Sequence, residues 1–476
     1  MDLDVAEKSR SIIPRWRDFK TTLALGELGS GLNRTESLKP TDSRFIAEHL
    51  QDWQRNRTLA FATDLIGVAL VTGVVDDIQE AAEFVMSSQI SNELHRLVAR
   101  RALNPLQSED STATGVIAIS SDEIIEHSKQ NVKTIRSQLQ EHYINPIKLV
   151  ELSREFAILG STSKAIRAME TAVALGPTNR YVLRSAARLF VHANRLDRAH
   201  HVLRSAASLR SDPWLLAAEI AVTNMRGITS RHVSKALEQV RSSNFHPFEI
   251  SELSGAIGTL ELVNGKDKLA RRLFKQSVEM PTDNSLAQAE WASRFSPNLN
   301  IDMTGSYVPY NFEAPAWSRY SMGKLEEAIE LGRSWIIDQP FAISPINFTG
   351  MVANITDNFE LGSRIFSFGL HANPDSAILR NNYAFSLASM NLTDLAKAQL
   401  DRLDYATLSL HEKIIVSATE GLIKFRMGQL EEGRALYHKA IELATANNEP
   451  HYAARAMLFL AREEINANTI FAKGTF

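Results

Sequence analysis

The chain has 476 residues, 22% of them charged, a formal net charge of -3 and no cysteine. That length exceeds what one compact core usually serves, so several domains or an extended repeat array are required. The near-neutral balance gives no global attraction to phosphate or anionic lipid, and the absent cysteines exclude disulfides and thiolate metal sites, which fits a cytoplasmic location.

From the amino terminus, residues 1–44 read as a partly extended arm. Its segment IIPRWRDF, from Ile12 to Phe19, joins aromatic and basic residues, and such a segment docks either into a partner or back onto its own domain, where it would bury Trp16. Residues 45–115 read as a helical domain of uncertain kinship plus a linker, with helices over Phe45 to Trp53, Leu59 to Gly73 and Ile78 to Met86. The stretch LIGVALVTGVV from Leu65 to Val75 falls well short of the roughly 20 apolar residues of a membrane helix, so no membrane partner is expected. Asn104 to Gly115 is rich in small and polar residues, and a helix from Ser121 to His142 follows it.

Beyond this the sequence repeats at a step of about 34 residues. Leu149, Leu152 and Phe156 mark one helix, Gly160 a turn, and Ala165, Met169 and Ala172 a second helix ended by Pro177. One period later stand Leu183, Ala186, Phe190, Asn194, Ala199, Leu203 and Ala206, with Pro213 close behind. Each helix has one apolar stripe at i, i+3 and i+4 steps, which a pair so small cannot bury alone. Similar units run from Ser251 to Asn284, Phe312 to Pro340, Ile343 to Ser376, Ala377 to Leu410 and Ile414 to Asn447. From Trp214 to Pro247 most of the pattern is lost. Residues 296–315 form a proline-rich loop that splits the array into residues 116–295 and 316–447, because proline removes a donor and clashes inside helices. Residues 448–476 supply a capping helix and tail.

The small residue on each second helix, the aromatic late in each first helix and the helix-ending proline resemble the tetratricopeptide (TPR) family over about two-thirds of the chain. The family's small residue at the eighth position is matched by Ser153 and Ala187, its turn glycine by Gly160 and Asn194. The resemblance implies an all-α fold: an α-solenoid of TPR-like helix-turn-helix repeats with an additional N-terminal helical domain. It further implies a concave groove, lined by the first helices, that takes peptides. Gly362 and Gly433 stand where the family usually has alanine, and the last two units lack the proline.

Charge singles out two parts of that groove. Between Pro146 and Asn284 there are 20 Lys or Arg against 13 Asp or Glu. Arg184, Arg188 and His192 follow a four-residue step on one first helix, Arg154 is equivalent to Arg188 one repeat earlier, and Tyr181 lies beside them. This stripe suits an acidic peptide or, less well, nucleic acid; a solvated helix face is the plainer reading. Asn347 and Asn381 are one period apart, with Asn354 and Asn382 nearby. Side-chain amides both donate and accept, so these four either bind an extended backbone or bond neighbouring helices.

No catalytic motif is present, and no cofactor or metal is expected. The pair His200 and His201 beside Asp197 points in two directions on a helix. The acidic run Asp76, Asp77, Glu80 and Glu83 suits a helix start. Trp53, Trp214, Trp291, Trp317 and Trp335 fit core packing. The expectation is a non-enzymatic scaffold or adaptor that captures a polypeptide segment in its groove. The alternatives are a sensor subunit for a small molecule or nucleic acid, and an enzyme with an unrecognised site in residues 1–145.

Overall fold

The computed structural model describes residues 10–28, 43–72, 78–91, 121–141, 145–242, 244–303 and 308–468, with isolated residues between 95 and 103. Among the described residues there are helices and no strands, and the fold is an all-α solenoid of helix-turn-helix repeats with an additional helical domain. Contacts divide the chain into one unit of residues 1–29, 119–243 and 247–476 and a second of residues 30–118 with 244–246. No helix among the described residues is long and apolar enough to cross a membrane.

The second unit holds α2 (Ser43–Arg55), α3 (Leu59–Thr72) and α4 (Gln79–Ser87). They close around Trp53, Leu65, Ile66, Ala69, Ile78, Ala82 and Val85, and the Trp53 ring meets Phe84 edge-on at 5.2 Å. Gly73, Asp76, Asp77 and the Asn104 to Gly115 linker lie outside the described residues. Glu80 occupies the first turn of α4, where a carboxylate is favoured by the exposed backbone N–H groups.

The larger unit begins with the arm and a short helix, α1 (Phe19–Ala24), then α5 (Ser121–Glu141). Helix pairs follow: α6 (Pro146–Ile158) with α7 (Thr162–Leu175), α8 (Arg180–His192) with α9 (Leu196–Ser205), α10 (Pro213–Met225) with α11 (Val233–Arg241), and α12 (Pro247–Val263) with α13 (Asp267–Ser277). After α14 (Asp283–Phe295) come α15 (Glu313–Ser321) with α16 (Leu325–Asp338), α17 (Ile343–Ile355) with α18 (Phe359–Ala372), and α19 (Ala377–Ser389) with α20 (Thr393–Leu400). The series ends with α21 (Leu410–Arg426), α22 (Leu430–Ala446) and α23 (Pro450–Asn466).

Two local devices set the pairs. Of the first helices, α6, α8, α10, α19 and α21 start on a polar cap: Asn145 and Asp212 stand before prolines at the first helical position, Asn179 and Ser376 accept from backbone N–H groups in the first turn, and Ser409 forms a full capping box with Glu412. First helices end on a residue with positive φ: Gly160, Asn194, Gly227, Gly265, Gly323, Asp357, Asn391 and Gly428. Only glycine, or a short Asn or Asp that bonds locally, takes that conformation at low cost, so it reverses the chain into the second helix. Large rings on second helices then seat against first-helix glycines, as Phe274 does at Gly258, Phe366 at Gly350 and Tyr437 at Gly421.

The stretch after Trp214 is a complete pair, although its sequence pattern is weak. Helix α10 is buried from Pro213 through Thr223, so it has no polar face to create a stripe. The proline-rich segment interrupts the helices without parting the stack: Leu299 and Ile301 join Trp291, Phe274 and Leu262 in one core, and α14 packs on α15 across it.

Candidate functional site

The chain's own residues 10–28 lie against α6, α8 and α14 and reach Glu313, Asp338 and Phe341 beyond them. Ile12 and Trp16 are fully buried, Trp16 meeting Phe341 edge-on at 5.3 Å. Four side chains from three helices, α6, α8 and α14, donate to the arm's backbone carbonyls: Arg154 Nε to Trp16 (3.1 Å), Tyr181 OH to Arg17 (3.0 Å), Asn284 Nδ2 to Ile13 (3.0 Å) and Gln288 Nε2 to Arg10 (2.9 Å). An extended strand offers such carbonyls whatever its side chains are, which makes this mode of holding tolerant of sequence.

The arm's three arginines meet carboxylates that, Glu27 apart, come from residues far away in sequence. Arg10 pairs with Glu313 (2.8 Å), Arg15 with Asp283 (2.9 Å) and Glu313 (2.5 Å), and Arg17 with Asp283 (2.8 Å), Asp338 (2.7 Å) and Glu27 (3.5 Å). Burial pushes the Glu313 carboxyl up, but Arg10 and Arg15 outweigh it and hold it at about 2. Asp283 is likewise held below its ordinary value by Arg17 and Arg15 against its burial. Glu27 differs: burial prevails over Arg184 and Arg17 and raises it to about 7.

The basic stripe is therefore engaged within the chain. Arg184 Nη2 donates to both Glu252 oxygens (3.2 and 3.1 Å), approaches Glu27 at 3.8 Å, and its guanidinium lies 4.6 Å from the Trp214 ring centre. Arg188 lies over Phe341 (4.9 Å), and burial with neighbouring Arg15 lowers it to about 10. His192 meets the same ring edge-on, and burial followed by Arg188 lowers it to about 4. Burial raises the Tyr181 phenol well above its usual value. The occupant of Arg154, Tyr181 and Arg184 is the arm, because the chemistry suited to a foreign peptide is equally suited to a segment tethered beside it at high effective concentration.

In the second half the four asparagines come together. Asn382 Nδ2 donates to Asn347 Oδ1 (2.8 Å), Asn381 Nδ2 to Asn382 Oδ1 (3.3 Å), and Ser386 Oγ to Asn354 Oδ1 (3.0 Å). These bonds link α17 to α19, and they leave Asn381 Oδ1 buried without a hydrogen-bond partner. Asn354, Asn381 and Asn382 also line a cavity of about 260 Å³ together with Phe385, Ile415, Ala418, Tyr437, Tyr452, Arg455, Phe459 and Arg462. Three first helices, one second helix and α23 thus build its wall. The asparagines were legible from their period; Tyr452, Arg455, Phe459 and Arg462 were not, because α23 reads as a cap.

The tryptophans Trp53, Trp214, Trp291, Trp317 and Trp335 are all buried. His200 sits 2.9 Å from Arg226 and 3.5 Å from Glu219, while Asp197 pairs with Arg226 at 2.5 Å. No group of three His, Asp or Glu suited to a metal occurs among the described residues.

No protein-family model matches the chain, and no curated protein matches it. Among solved structures it is similar to human IFIT1, in a structure of the human IFIT1 dimer with PPP-AAAA, at 13% identity and a TM-score of 0.31, over 89% of this chain and 99% of that one.

Proposed function

We propose that this chain is a non-enzymatic scaffold that holds an extended segment of another polypeptide along the inner face of its second half. The observation that supports it is the docked arm: helices of the earlier repeats grip a segment of the chain through side-chain donors to backbone carbonyls, and its aromatic anchor Trp16 is buried on Phe341. The second half repeats the kit, with amides, aromatic walls and arginines around an open cavity. The TPR-like spacing of the hairpins is consistent with this use, since such stacks expose their first helices in a groove.

Selection of random linear peptides displayed against the full-length protein tests the reading. An enriched set that binds saturably, with dissociation constants on the order of micromolar, is expected for a groove of this kind. A selection that returns no saturable binder refutes it.

A further inference from the structure

The cavity between α17, α19, α21 and α23 is lined by none of residues 10–28. Its volume, about 260 Å³, lies just under the roughly 300–1,000 Å³ of small-molecule sites, a size for one large side chain with its peptide group. Phe385, Tyr452 and Phe459 furnish aromatic walls, against which an aromatic ring packs edge-on with more gain than an aliphatic chain.

Two polar atoms here lack protein partners and are complementary to each other. Asn381 is 3% exposed and its Oδ1 accepts nothing; Arg462, held 5.6 Å from Phe385 and 4.8 Å from Phe459, has a buried Nη2 that donates to nothing. An unpaired buried polar group costs about 1–3 kcal/mol, so a ligand that brings both an N–H and an acceptor oxygen gains on each side. A peptide offers both. The charge on α23 narrows it further: Arg455 and Arg462, seven residues apart, share one helix face, and Asp357 is the acid in the lining. Arg462 is already bonded to Glu463 (2.9 Å). Its unpartnered Nη2 is too little to follow a phosphate backbone, but enough to hold a single carboxylate oxygen beside the seated residue.

We infer that the cavity binds an aromatic residue of an extended partner peptide flanked by acidic residues, with the ring between Phe385, Tyr452 and Phe459 and a carboxylate on Arg462. The inference rests on the scaffold reading above. The backbone N–H of the seated residue answers Asn381 Oδ1. Trp16 on Phe341, with Arg154 donating to its carbonyl, shows an aromatic residue held on this unit within the chain, with flanking charges of the opposite sign, Arg15 and Arg17.

The test uses the full-length protein and fluorescein-labelled heptapeptides read by fluorescence anisotropy: a central Phe flanked by Asp and Glu, the same peptide with a central Ser, the Phe peptide flanked by Lys, and a seven-nucleotide single-stranded RNA. The acid-flanked Phe peptide should bind at least tenfold more tightly than each of the others. Phe385→Ala should lower its affinity at least tenfold, and Arg455→Glu, a half-exposed position that leaves the core intact, should shift preference toward the Lys-flanked peptide. Equal binding of the Ser and Phe peptides, an unchanged preference in Arg455→Glu, or tighter binding of the RNA overturns the inference. If peptides from the display selection bind Phe385→Ala and Arg455→Glu as they bind the parent chain, the scaffold reading stands and this assignment falls.

Discussion

Replacing Arg17 by Met isolates what the docked arm contributes. Arg17 is 3% exposed and its guanidinium meets Asp283, Asp338 and Glu27, themselves buried. Removing the cation leaves carboxylates in a site that water does not reach, and breaking a buried pair in this way costs about 3–5 kcal/mol. The loss has a ceiling, because the arm can leave the groove and let water in; the measured cost is the smaller of the two. Its pH dependence carries the diagnosis. In the parent chain Asp283 is held below its ordinary value, so its contribution is present above that ordinary value and is lost as the pH falls through the lowered one. In the variant the buried cluster has one cation fewer, with Asp283 keeping Arg15 and Glu27 keeping Arg184, so proton uptake by the cluster is favoured, the variant gains stability as the pH falls, and the gap between the two proteins narrows in acid. Urea unfolding followed by circular dichroism should show a deficit of about 3 kcal/mol or more at pH 7.5 that shrinks by at least half at pH 5. Hydrogen exchange should show residues 10–28 losing protection first. A deficit below about 1 kcal/mol at pH 7.5, or one that does not change with pH, would refute the reasoning that the ion cluster holds the arm.

Glu27→Gln works in the other direction: a carboxyl raised to about 7 contributes stability that is present below about 4.5 and lost as the pH rises through 7, worth up to about 3 kcal/mol. The variant should therefore gain on the parent chain between pH 5 and pH 8 in urea midpoint; a constant difference contradicts the assignment. Gly160→Ala should cost about 2–5 kcal/mol, since a Cβ there lands on the His371 carbonyl and the residue has φ +67. Gly227→Ala, with φ +70 and open space around it, should cost only about 1 kcal/mol, and equal losses in thermal melts would show that the contact with α18 is not what matters. Gly350→Ala should destabilise by about 1–3 kcal/mol, because its methyl meets the Phe366 ring; a melting temperature unchanged from the parent chain would show that this seat has slack.

The repeat was legible because its signals are local. Leu149, Leu152 and Phe156 lie within one helix, and Gly160 and Asn194 end consecutive first helices in the same left-handed conformation. The pair α10 and α11 escaped notice for the opposite reason: with Trp214 to Thr223 buried on every side, hydrophobic periodicity has no contrast, and only the Asp212 cap, Pro213 and Gly227 carried the signal. The ligands of Arg184 were beyond sequence reasoning altogether. A four-residue step places Arg184 and Arg188 on one face, but Glu252 and Glu27 reach Arg184 from another repeat and from the arm, and no spacing rule links such positions. The asparagines fall between these cases, since their period announced a common face while the aromatic wall opposite came from α23.

The docked arm also changes what the basic middle of the chain means. A surplus of Lys and Arg between Pro146 and Asn284 looks like an invitation to an acidic partner, yet Arg184 is spent on Glu252 and Glu27, Arg180 on Asp212 (2.6 Å), and Arg154 on a carbonyl of the arm. Meanwhile the acids Asp283, Glu313 and Asp338 take cations from the arm. A ligand that entered this half would have to displace Trp16 from full burial, a side chain whose removal from such a site costs about 3–5 kcal/mol, together with three paired arginines. A ligand entering between α19 and α23 displaces no part of the arm and finds an acceptor on Asn381 that is still unpaired. For the peptide binding proposed above, energy would therefore be concentrated in the second half, where each contact a partner made would be added to the fold instead of exchanged for one the chain already has.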